Sequence, residues 1–136
     1  MSLRLEIDLP AGPLRRSGPT PVPIALINDG PGPVLVNRRM APGYLDSVSR
    51  EVYFDLDGPF AAQKYQRDPA APTDYGWLGP GERVVADIDL LDWYLIREPG
   101  EYRLTGHYQC DEPLADPPAG IVPGVLDSPT YSITVE

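Results

Sequence analysis

Asp87, Asp89 and Asp92 crowd ahead of the pair Trp93-Tyr94, and the chain's single histidine and single cysteine, His107 and Cys110, follow shortly after. Carboxylates at that density suit a hard cation, which needs several oxygens converging on one point. A cysteine near a histidine suits a nucleophile or half of a metal site. Each chemistry has a geometric requirement, and the sequence is expected to miss it. The nearest further acids with a turn motif are Asp55 and Asp57 in "FDLDGP". In a seven-strand arrangement, the connections after the fourth and fifth strands lie at opposite ends. A nine-residue strand spans roughly 30 Å, so the two acid groups are expected not to share an ion. "FDLDGP" also fails as a calcium loop, with Tyr53 at its first ligand position and Lys64 where the bidentate glutamate belongs. Aspartates here are expected to cap turns.

His107 and Cys110 are three residues apart, so in a strand they point to opposite faces. A zinc set lacks a second histidine. His107 reads as a solvent-facing strand residue, with an acidic neighbour and a hydroxyl such as Ser128 or Thr130 as conceivable partners. The turn "DGPGP" places prolines where a phosphate cradle needs backbone N–H donors. The expectation is therefore no catalytic residue, no metal, no cofactor and no enzyme.

The elements that carry these residues follow from hydrophobic alternation. Leu3, Leu5, Ile7 and Leu9 alternate with Arg4, Glu6 and Asp8, as in a half-buried strand. The same period runs through Val22, Ile24 and Leu26, through Val52, Phe54 and Leu56, through Val84, Ala86 and Ile88, and through Tyr102, Leu104, Gly106 and Tyr108. Seven strands are expected, at about 3–9, 21–28, 33–39, 48–56, 82–90, 101–109 and 129–135. "LDWYLI" breaks the alternation and reads as one helical turn that tucks Trp93 or Leu95 under the sheet edge. Pro99-Gly100 then turns the chain into the sixth strand. Short alternating strands joined by proline- and glycine-rich turns, in a chain with 18 prolines and 13 glycines in all, describe an all-β chain. The expected fold is a seven-stranded antiparallel β-sandwich with Greek-key connections, residues 1–136 forming a single domain.

Several turn motifs carry a resemblance. Ile96, Pro99, Gly100, Tyr102 and Leu104 follow the pattern apolar-x-x-Pro-Gly-x-Tyr-x-apolar. "LGPGE" (78–82), "DLDG" (55–58) and "NDG" (28–30) lead into or out of neighbouring strands. Together they resemble bacterial immunoglobulin-like domains, a group that includes accessory domains of secreted proteins and an intracellular proteinase-inhibitor family. The resemblance implies a fold and not an activity. It matches no functional residue of that group to a position here, and a single cysteine leaves no antibody-type disulfide.

A net charge of −9 argues against nucleic acid and anionic membranes as partners. Residues 1–20 hold no long apolar run and carry Pro10, Pro13 and Pro19, unlike a signal peptide. With one cysteine, this points to the cytoplasm.

Function is expected on the connections that share one end of the fold. The one after the fourth strand, about Asp57 to Gly81, carries Tyr65, Tyr75 and Trp77, and aromatics of this kind serve as binding anchors. Their competing role is to cover the open end of the core. The one before the last strand, about Cys110 to Ser128, is acidic and proline-rich and suits docking as an extended peptide. The leading expectation is a non-catalytic domain that binds a protein partner through these loops. The alternatives are a proteinase inhibitor with a proline-stiffened loop and a carbohydrate-binding module that stacks sugars on Tyr65, Tyr75 and Trp77. The first and last strands, read as free of internal proline, leave an edge for a weak homodimer.

Overall fold

Alternating side chains become two opposed sheets in the computed structural model, which describes residues 3–38, 40, 51–63, 75–109 and 125–136. One sheet has the order β1-β2-β7, built from β1 (Leu3–Ile7), β2 (Pro21–Asn28) and β7 (Arg83–Asp89). The other has the order β10-β9-β4, from β4 (Val52–Asp57), β9 (Gly100–Gln109) and β10 (Val125–Val135). Two short ladders accompany them: β3 (Val34–Asn37) with β6 (Tyr75–Leu78), and β5 (Ala62–Gln63) with β8 (Tyr94–Leu95). All these pairings are antiparallel. The described residues are all-β apart from one helical turn, α1 (Leu90–Trp93).

The even-numbered residues Val22, Ile24 and Leu26 of β2 and Tyr102, Leu104 and Tyr108 of β9 are buried in one shared core. Burial is the main favourable term in such a fold, at about 25 cal/mol per Å² of apolar surface. The two sheets approach closely at Gly106. A Cβ there would sit 2.7 Å from Ile24 Cδ1 and 3.3 Å from Ile7 Cδ1, so only glycine fits without a shift.

Three stitches fix the connections. The fully buried Asn28 donates through Nδ2 to the carbonyls of Gly32 (2.9 Å) and Leu78 (2.8 Å) and accepts from the Gly30 N–H at 3.0 Å. It thereby holds the turn after β2 against the end of β6. Asp89 caps α1, its Oδ1 accepting from the N–H groups of Leu91 (3.1 Å) and Thr20 (3.2 Å) and from the Thr20 hydroxyl (2.6 Å). The Tyr102 hydroxyl lies 2.7 Å from the Glu98 carbonyl and 2.8 Å from that of Phe60, and accepts from the Phe60 N–H at 3.1 Å. Gly58 makes room for the Tyr102 ring, which a Cβ there would meet at 2.2 Å.

The structure corrects several expectations. The fourth strand pairs with β9 and runs antiparallel to it, Asp57 lying opposite Arg103. It therefore leaves the sheet at the end where β9 begins, the same end as α1, and the two acid groups are not at opposite ends. Alternation defines the faces of a strand but not its neighbour. The connection from Asp57 to Gly81 is not free of structure, since β5 and β6 lie within it. Of the two residues expected to tuck under the edge, Trp93 is buried and Leu95 is exposed. The last strand begins earlier than expected, so Pro129 lies inside it and not at its first position, at a register shift between Asp127 and Thr130.

Candidate functional site

Period two places Tyr75 and Trp77 on the same face of β6, about 7 Å apart along the strand. The ladder partner β3 sets Asn37 opposite Tyr75 and Leu35 opposite Trp77. Val34, Val36 and Leu78 belong to the main core, whereas Leu35 is buried outside it. The Trp77 face is therefore turned away from that core. Trp77 is 54% exposed, the highest value among the large apolar residues described. Tyr75 is half-buried beside it. A covering role predicts burial, and for Trp77 that is not what is found; Trp93 is the buried indole of the described residues.

The strand under Trp77 is held from behind. Arg38 Nη1 donates to the Trp77 carbonyl at 3.2 Å. Its aliphatic arm crosses Gly76, where a Cβ would stand 2.8 Å from Arg38 Cδ. Asn28 fixes the far end of β6 through the Leu78 carbonyl. The aromatic pair thus rides on a pinned two-stranded ladder. Tyr65 lies outside the described residues, and so do Cys110 and most of the acidic proline-rich connection.

The acidic neighbour expected of His107 is present twice, in residues the sequence alone did not name. His107 Nδ1 lies 2.6 Å from Asp127 Oδ1 and its Nε2 2.7 Å from Asp55 Oδ2. Tyr53 stacks on the ring, with centroids 4.7 Å apart and planes inclined by 24°. The imidazole side chain is only 12% exposed, so it faces outward without facing solvent. Register explains this, because Tyr53 and Asp127 are its direct cross-strand neighbours and Asp55 lies one step further along β4. The hydroxyls considered as partners are engaged elsewhere. Ser128 Oγ accepts from the Gly106 N–H at 2.8 Å, and Thr130 Oγ1 pairs with Thr105 Oγ1 at 2.8 Å. Both ring nitrogens thus meet carboxylates, and the group ties β4, β9 and β10 together. Only strand pairing could have revealed it.

Among the described residues, no three His, Cys, Asp or Glu side chains are placed to hold a metal ion. No helix among them is long and apolar enough to cross a membrane. Comparison with protein-family models and with curated proteins found no match to this chain.

Proposed function

We propose that this chain is a non-catalytic immunoglobulin-like β-sandwich domain that binds a protein partner through the Tyr75–Trp77 face of β6. The fold part of this reading is supported by the two opposed three-stranded sheets. It is also supported by a crossing segment: after β1 the chain leaves the first sheet, and Leu14 pairs in parallel with Val135 at the end of β10. A third support is Tyr102, near the start of β9, whose hydroxyl reaches back to the Glu98 carbonyl as the corner tyrosine of such folds does. In this reading the seven main strands follow Greek-key order.

The observation that carries the binding part is the exposure of Trp77 beside Tyr75 on a paired strand. Trp and Tyr are the residues that most often dominate binding energy at interfaces, because they add large contact area with few rotatable bonds. Capture from a lysate of the source organism tests it, with wild type beside a Tyr75→Ala, Trp77→Ala variant shown to be folded. The reading expects a partner held by wild type and lost by the variant. A captured protease would make the domain a proteinase inhibitor. A partner held equally by both baits removes β6 as the site. Quenching of Trp77 fluorescence by soluble glycans, with no protein captured, would replace the protein partner with a carbohydrate.

A further inference from the structure

A second place for a partner lies at the other end of the fold, where a strand pairing stops short. Leu14 donates to the Thr134 carbonyl at 2.8 Å and accepts from the Glu136 N–H at 2.8 Å, and the Arg16 N–H reaches the Glu136 carbonyl at 2.9 Å. The outer edge of β10 is therefore lined by the backbone groups of residues of even number. Alternate residues of a strand point their N–H and C=O to the same side. By that rule the Thr134 N–H and both groups of Ser132 also face outward, away from β9. None of them has a backbone partner among the described residues.

The chain's own segment does not complete this ladder. Gly12 takes φ +88, which turns the backbone away. Pro10 and Pro13 have no N–H to donate. Where the parallel strand would have continued, a groove of about 520 Å³ opens between the crossing segment and β10. Leu9, Pro10, Pro13 and Ile133 give it apolar walls, and Ser132 and Thr134 line it as well. A groove of this volume, beside a row of open backbone groups, suits one added strand.

Charge selects among extended peptides. The chain carries a net charge of −9. Glu136 lines the groove and is exposed, with no ion-pair partner for its carboxylate among the described residues. Arg16 nearby directs its guanidinium to the main-chain carbonyls of Arg97 and Glu136. A second copy of this chain would bring a further net charge of −9 to the same edge, so a basic segment is the better fit.

We propose that the open edge of β10 at Ser132 and Thr134 accepts an extended, basic peptide segment of another protein by strand addition, with an apolar side chain in the adjoining groove. The probe is a capped peptide, Lys-Val-Thr-Val-Lys, titrated into ¹⁵N-labelled protein. In the free protein the Ser132 and Thr134 amides should exchange with solvent faster than those of Ile133 and Val135, which face β9. Saturating peptide should shift and protect the first two. Ser132→Pro should abolish the shifts while preserving the fold, because proline is tolerated where an edge N–H points outward. If that variant does not fold, Glu136→Lys serves instead and should weaken binding by about threefold, the size of one exposed ion pair. The proposal is overturned if the Ser132 and Thr134 amides are already as protected as Ile133, or if the peptide leaves them unmoved. Equal shifts from Glu-Val-Thr-Val-Glu would overturn it too, as would a homodimer that occupies this edge.

Discussion

At the residue scale, the hydroxyl of Tyr102 and the imidazole of His107 do different work. Tyr102 is buried, and its oxygen serves the carbonyls of Glu98 and Phe60 and the N–H of Phe60. Tyr102→Phe leaves those groups without their partner and is expected to cost about 1–3 kcal/mol, measured as a lower urea midpoint with an unchanged slope. His107 sits between two carboxylates whose side chains are 77% and 65% exposed. Solvent screening weakens both contacts, so His107→Ala is expected to cost only about 1 kcal/mol by the same measurement. A loss several times larger would mean that the stack on Tyr53, more than the contacts with Asp55 and Asp127, holds this part of the sheet. Neither role was fully legible in the chain. The Pro99-Gly100-x-Tyr102 motif announced a turn with an aromatic after it, which is local information. The partners of His107 come from β4 and β10, far away in sequence, and no local pattern marks them.

At the element scale, alternation was enough to find most strands because each has one buried face. The second strand begins and ends at the expected residues, Pro21–Asn28. The third strand, expected at 33–39, is found as β3 although all four of its residues are buried. Alternation failed where strands are very short: β5 and β8 have two residues each, too few for a period to show. It also could not say that β4 lies beside β9, since pairing is decided by the whole core. The close approach of the sheets gives a direct check on that packing. Gly106→Ala places a methyl against Ile24 and Ile7 and is expected to cost about 1–3 kcal/mol in urea unfolding. Ala at Gly18, which has open space around it, should change stability by less than about 0.5 kcal/mol.

At the scale of the whole molecule, two opposed sheets carry a pinned aromatic ladder at one place and an unfinished strand pairing at another. Tyr75 and Trp77 were legible as candidates because aromatics on a connection are informative by type. Their common face was not, because the strand that creates it, β6, has no flanking alternation to reveal it. The fold is insensitive to Trp77 if its side chain lies mainly in solvent, so Trp77→Ser should change the unfolding free energy measured in urea by less than about 0.5 kcal/mol. The most direct test of the account replaces Trp77 with a photo-crosslinking phenylalanine derivative in the source cells. Val85, exposed on the outer face of β7, is replaced in the same way as a control. The account predicts one discrete protein adduct from position 77 and none from position 85. No adduct at 77, or the same adducts at both positions, would contradict it.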